Sequence, residues 1–356
     1  MTVPIRPEVS SLPAYVAGKP AAAGPGGVSY KLSSNENPYP PLPSVSEQIA
    51  LDGFNRYPDA GNTAITAAVA EHLGVAADRL AFGTGSVAVL YHLLQATCTT
   101  GDEVVFAWRS FEAYPIAVQL TGARPVPVPL GPHAVHDLDA MAAAVTDRTR
   151  AVLLCTPNNP TGPIITHTDL VRFLDAVDPS VMVIVDEAYV EFVTDPAAAR
   201  GLELLDRPNV VVLRTFSKAY GLAGLRVGYC VAEPGLAQAV RATSLPFGVS
   251  SLAQAAVVAS LDAQDELSAR VADLVAQRTV LVDGLRSLGL EVPDSEGNFA
   301  WLAAGAQTLR WAEHFGTAGV AVRPYVAGED ADGIRITVGE HEANALVLEL
   351  ARTLPH

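Results

Sequence analysis

Lysine is scarce in this chain. Its 23 basic residues are 20 arginines and three lysines (Lys19, Lys31 and Lys218), and from residue 32 onward Lys218 stands alone among 19 arginines. In a sequence that uses arginine as its general cation, a lone lysine is either a surface residue kept by chance or the place where an amine must act as nucleophile at an accessible pKa, which a guanidinium cannot do. Lys218 lies in Arg214-Thr215-Phe216-Ser217-Lys218-Ala219-Tyr220-Gly221, and Arg226 follows. Two hydroxyls, Thr215 and Ser217, and the Arg226 guanidinium suit a phosphate.

Three other polar clusters stand out. Asp186-Glu187-Ala188-Tyr189 puts a carboxylate directly after the apolar run Val181 to Val185. A buried carboxylate needs a partner. That partner is either a helix N-terminus or ion pair, or the protonated nitrogen of a bound heterocycle. Pro157-Asn158-Asn159-Pro160-Thr161-Gly162 is either a plain turn or a turn that presents its amides to a ligand. Gly83-Thr84-Gly85-Ser86 opens a helical stretch. It is either a tight turn or an anion site built on unpaired backbone N–H groups. Together the clusters supply an amine, a carboxylate, a phenol, an amide and a three-part phosphate cradle. That is the set pyridoxal phosphate needs.

The elements that must position these groups alternate. Ala64 to Leu73, ending at Gly74, and Val87 to Thr97 read as helices. Val104 to Phe106, Ala151 to Cys155, Val181 to Val185 and Val210 to Leu213 are short runs rich in β-branched residues, as buried parallel strands are. Each ends in one of the polar clusters or another polar turn, and ligands of open α/β sheets bind beyond the carboxyl ends of strands. The pattern predicts a doubly wound α/β domain over residues 45–254. Residues 1–44 form an N-terminal arm whose Gly- and Pro-rich part, 18–44, reads as irregular, neither helix nor strand. Residues 255–356 predict a smaller α+β domain. It begins with a long helix through Leu267 to Leu288, then has strands at Phe299 to Leu302, Val320 to Arg323 and Ile334 to Val338, and ends in a helix after Glu340.

Composition narrows the function. With 38 acidic residues the formal charge is −15, which repels a phosphate backbone and argues against nucleic-acid binding. No apolar run is long enough to span a bilayer and no signal core is visible, so a cytoplasmic protein with no membrane partner is expected. Three dispersed cysteines and unpaired histidines give neither a disulfide framework nor a metal site.

At these residues the chain resembles fold-type I, pyridoxal-phosphate-dependent aminotransferases, and among them the histidinol-phosphate aminotransferase family with its actinobacterial aromatic amino acid branch. The resemblance runs from about Leu12 to the C-terminus and rests on Leu32 to Pro38 (LSSNENP), Asn55 to Pro58 (NRYP), Pro157 to Gly162 (PNNPTG), Asp186 to Tyr189 (DEAY), Thr215 to Gly221 (TFSKAYG) and Arg335 to Gly339 (RITVG). It implies that Lys218 bonds covalently to the cofactor and then moves the substrate proton. Asp186 would pair with the ring nitrogen, and Asn159 and Tyr189 with the ring oxygen. Phe111 would stack on the ring, while Gly85, Ser86, Thr215, Ser217 and Arg226 would hold the phosphate. Tyr57 would reach the phosphate of a neighbouring subunit, implying a homodimer with shared sites. Arg335 would clamp the substrate's anionic group with Arg323 in support, and Tyr15 and Asn35 would close over the substrate.

The chain departs from the histidinol-phosphate pattern in two places. Ser86 is followed by Val87-Ala88, where an acidic pair is usual, and Trp108-Arg109-Ser110-Phe111 replaces a loop with proline before the stacking aromatic. Both look more like the aromatic branch, and an apolar Val87 and a nearby Trp108 would also make the site less polar, which suits a phenyl ring. The leading expectation is therefore transamination of phenylalanine, tyrosine or tryptophan with 2-oxoglutarate. Histidinol-phosphate transamination comes second, and decarboxylation of a phosphorylated amino acid third. A regulator with a degenerate aminotransferase domain would need an attached module, for which the resemblance leaves no room.

Overall fold

The apolar runs assemble into one sheet. In the computed structural model, which describes residues 3–12, 18, 20–49, 55–326 and 332–355, a short strand β1 (Tyr30–Lys31) precedes it. The sheet itself comprises β2 (Leu80–Gly83), β3 (Glu103–Trp108), β4 (Arg124–Pro129), β5 (Thr149–Cys155), β6 (Met182–Asp186), β7 (Val210–Thr215) and β8 (Gly228–Val231). Their spatial order is β2-β8-β7-β6-β5-β3-β4. All neighbours are parallel except β8, which runs antiparallel to both β7 and β2.

Side chains alternate between the faces of this sheet. Phe106, Leu153, Ile184 and Leu213 pack on one face against Val89, Leu93 and Leu94 of the helix Ser86–Thr97. Val105, Val152, Leu154 and Val183 pack on the other against Leu170, Phe173 and Leu174 of the helix His167–Ala176. Covered on both sides, β6 is buried at every position, and each large aliphatic residue so placed contributes about 1.5–3 kcal/mol. This rigid core sets β5, β6 and β7 side by side, with Cys155 opposite Asp186 and Asp186 opposite Leu213 at their carboxyl ends.

The C-terminal part holds the helix Gln264–Ser287 and the strands β9 (Phe299–Leu302), β10 (Val320–Ala321), β11 (Arg323–Tyr325) and β12 (Gly333–Thr337). Strands β11, β12 and β9 form an antiparallel sheet in which Arg323 lies opposite Arg335. Among the described residues no helix is long and apolar enough to cross a membrane.

Three expectations need correction. Residues 18–44 are not wholly irregular, because β1 pairs in parallel with β10. Tyr30 and Leu32 donate their N–H groups to the carbonyls of Gly319 and Ala321, each at 2.8 Å, so backbone pairing helps to anchor a turn-rich arm. The single strand expected over Val320 to Arg323 divides at Val322, and its halves join different sheets. Strand β4, Arg-Pro-Val-Pro-Val-Pro, was not expected as a strand. It sits at the sheet edge beside β3 only, where the missing N–H groups of Pro125, Pro127 and Pro129 break no ladder.

Candidate active site

The carboxyl ends of β5, β6 and β7 form the floor of a cavity of about 500 Å³. Asp186, the last residue of β6, is only 5% exposed. Its Oδ2 accepts a 2.8 Å hydrogen bond from the Tyr114 hydroxyl and its Oδ1 accepts one from the Ala188 N–H at 3.3 Å. Burial raises its pKa to about 6, while the Tyr114 hydrogen bond pulls the other way. Tyr114, in the helix Ala113–Thr121, is buried and its phenol is pushed well above the usual range by burial and by the Asp186 charge.

Beyond the end of β7 the chain turns and projects Lys218 into the cavity. Its Nζ lies 5.8 Å from the centre of the Tyr189 ring and donates to the Ser34 carbonyl at 3.2 Å. Burial, then the positive charges of Arg335 and Arg226, bring the amine's pKa down to about 7, against the attraction of Glu36 and Asp186. At neutral pH much of this amine is therefore uncharged. Tyr189 accepts a 3.0 Å hydrogen bond from Asn35 Nδ2, and burial holds its phenol above the ordinary range. Asn35 is fully buried at φ +52° and is fixed by Thr337 and Asn298.

The next wall is cationic. Gly85 precedes the helix Ser86–Thr97 at φ +89°, and a Cβ there would stand 2.5 Å from Nη2 of Arg226. No side chain caps this helix start, so its N–H groups and partial positive charge remain for a ligand. Thr215 Oγ1 donates to Ser217 Oγ at 3.0 Å. Arg226 donates to the carbonyls of Ala223 and Thr84, and no carboxylate among the described residues pairs with it. Two hydroxyls, a helix start and a guanidinium with no carboxylate partner among the described residues are groups that suit a phosphate.

Across the cavity, Arg335 Nη1 donates to Asn159 Oδ1 at 2.6 Å and Nη2 to the Ser33 carbonyl at 2.7 Å. Its Nε is buried and has no hydrogen-bond partner among the described residues. Such an orphan donor is costly unless a ligand satisfies it. Arg323 Nη2 donates to Glu112 Oε2 at 2.7 Å.

Of the residues singled out from sequence, Lys218, Asp186, Tyr189, Asn159, Phe111, Ser86, Thr215, Ser217, Arg226, Arg323 and Arg335 line this cavity, and Val87 lines it too. Gly85 and Asn35 lie behind its wall. Tyr57 is 82% exposed and stacks on Phe247 at 4.6 Å, away from this cavity. Tyr15 lies outside the described residues. Trp108 does not line the cavity, contrary to the reading that it lowers the site's polarity. It packs edge-on against Phe106 and lines a separate hollow with Arg109 and Trp301. Sequence reasoning missed Tyr114 and Glu112. Neither belongs to a recognisable motif, and their neighbourhood of Phe111 was the one available signal.

The sequence matches the family "Aminotransferase class I and II" over residues 29–350. A Streptomyces coelicolor protein named aromatic amino acid aminotransferase is 55% identical over 350 residues, covering 98% of this chain and 96% of its own length. A Rhodococcus jostii protein of the same name is 51% identical, covering 99% and 96%. Among solved structures, histidinol-phosphate aminotransferase from Sinorhizobium meliloti in complex with pyridoxal 5′-phosphate superposes with a TM-score of 0.89 at 28% identity, covering 100% of this chain and 99% of that one. With its fold, its lysine-bearing cavity and these likenesses over nearly its whole length, the chain belongs to the class I and II aminotransferases.

Proposed function

We propose that this enzyme, as a homodimer holding pyridoxal phosphate, moves the amino group of an aromatic amino acid to 2-oxoglutarate, giving the aromatic 2-oxo acid and glutamate. The observation that carries this reading is a cavity lined both by Arg335, whose buried Nε has no partner among the described residues, and by the apolar Val87. The names of the relatives at 51–55% identity support it.

The residues present fit the cofactor. Arg226, Thr215, Ser217, Ser86 and the N–H groups after Gly85 would hold its phosphate. Asn159 has given its Oδ1 to Arg335 and Tyr189 accepts from Asn35, so each keeps a hydrogen to donate to a ring oxygen. Asp186, ionised above about pH 6, would hold a proton on the ring nitrogen. Phe111 would cover a ring face. When bound, the cofactor supplies an electron sink for the electrons released at the substrate's Cα.

The chain's own groups do the rest. Arg335 binds and orients the substrate carboxylate, which satisfies the orphan Nε. Lys218 Nζ, uncharged near neutral pH, takes the proton from the substrate Cα and would deliver it to C4′ of the cofactor, the carbon on the other side of the substrate nitrogen. Val87 excludes water from beside an aromatic side chain. Tyr57, exposed on this protomer, would reach the phosphate of the partner subunit. Sedimentation of the active enzyme at a dimer mass is the expected result, and a fully active monomer would refute that role.

Formation of phenylpyruvate from L-phenylalanine, strictly dependent on 2-oxoglutarate, tests the reaction. A second reading, transamination of histidinol phosphate, draws on the likeness to the Sinorhizobium structure. Release of CO₂ from the amino acid would instead indicate a decarboxylase.

A further inference from the structure

Two guanidiniums reach the substrate side of the cavity, and the fold treats them differently. Arg323 and Arg335 sit opposite each other on β11 and β12, only 6% exposed each. Arg335 keeps a buried, unpartnered Nε. Arg323 already holds a carboxylate, Glu112 Oε2, at 2.7 Å. Glu112 lines the same cavity and retains 26% side-chain exposure, whereas the Arg323 side chain keeps 8%. Glu112 comes from a distant part of the chain, immediately before the helix Ala113–Thr121 and 211 residues from Arg323. A protein carboxylate thus occupies a place on Arg323 that a second anionic group of a substrate would need.

Resting on the aromatic reading above, we infer that Glu112 determines specificity by setting how many anionic groups the site accepts. With Glu112 on Arg323, the site offers one cation, Arg335, to a substrate with a single carboxylate and an uncharged side chain. A dicarboxylate must displace Glu112 from Arg323 to be held at both ends. The carboxylate of Glu112 is therefore an internal competitor of the substrate's distal anion. Its competition costs the dianion affinity and leaves the monoanion's clamp untouched.

The test uses the holoenzyme and two unreactive ligands, glutarate for a dianion and 3-phenylpropionate for an aromatic monoanion, titrated by the change in the cofactor's visible band. Glu112→Gln keeps the shape and removes the charge. It should raise glutarate affinity at least fivefold relative to that for 3-phenylpropionate, the scale of one charge-assisted hydrogen bond. In an Arg323→Gln background the same Glu112→Gln change should bring no such gain. An unchanged ratio, or a gain that persists without Arg323, overturns the inference. If the wild-type enzyme binds no 3-phenylpropionate, the aromatic reading fails. The glutarate affinities of the same variants still decide the role of Glu112 separately.

Discussion

The Tyr114 hydroxyl donates a 2.8 Å hydrogen bond to Oδ2 of Asp186 across 72 residues of sequence. Burial alone favours a protonated Asp186, and this phenol is the first opposing influence. Tyr114→Phe removes it without emptying the space. The carboxyl pKa should then climb above about 6, and the acid limb of kcat/KM should move to higher pH with an activity loss of about tenfold at pH 6.5, the worth of one hydrogen bond to a charged group. An unmoved acid limb would show that Tyr114 serves packing only.

Lys218 is held as a weak base by burial and by two arginines. The rate at which the apoprotein captures pyridoxal phosphate should therefore rise through a pKa of about 7, well below the ordinary lysine value of 10.5. Stopped-flow absorbance across pH 5–10 measures this. Lys218→Ala should show neither the visible band nor turnover, and a variant retaining both would remove Lys218 from the chemistry.

The same burial taxes the apoprotein. The folded pKa of Lys218, about 7, lies below its ordinary 10.5, so its contribution to stability is present above 10.5 and lost as pH falls through 7. That of Asp186, about 6, lies above its ordinary 3.8, so its contribution is present below 3.8 and lost as pH rises through 6. The two costs overlap near pH 6–7. Calorimetry should find Lys218→Met apoprotein melting higher than wild-type apoprotein at pH 6, by roughly 2 °C or more. The difference should vanish as pH approaches 10.5.

Arg335 pairs with Asn159 and leaves its Nε for a ligand. Arg335→Met should cut kcat/KM for L-phenylalanine about 100-fold through loss of a charged bidentate contact. Arg335→Lys should recover little, because an ammonium cannot present the fork. Full recovery by lysine would mean that charge alone suffices.

Much of the site was legible because its parts fall directly after buried strands, where chain order mirrors spatial order. Asp186 ends β6 and Thr215 ends β7, with the turn to Lys218 directly after it, and parallel pairing brings them side by side. The reversed β8 was not legible, since an apolar run carries no direction. Nor was β4, whose prolines read as turns until the sheet edge explains them. Tyr114 and Glu112 were hidden for a different reason. Each acts through a partner far along the chain, Asp186 at 72 residues and Arg323 at 211, and no local spacing encodes such pairs. Trp108 was misjudged on proximity: at the end of β3 it faces the separate hollow lined by Arg109 and Trp301.

The central claim is that this cavity is shaped for an aromatic amino acid. The direct test compares kcat/KM for L-phenylalanine and L-histidinol phosphate, with 2-oxoglutarate as acceptor, because that ratio reports differential transition-state binding. A clear preference for phenylalanine, about tenfold or more, is the predicted result, worth about 1.4 kcal/mol. A preference for histidinol phosphate would contradict the account and show that Val87 does not set the side-chain preference.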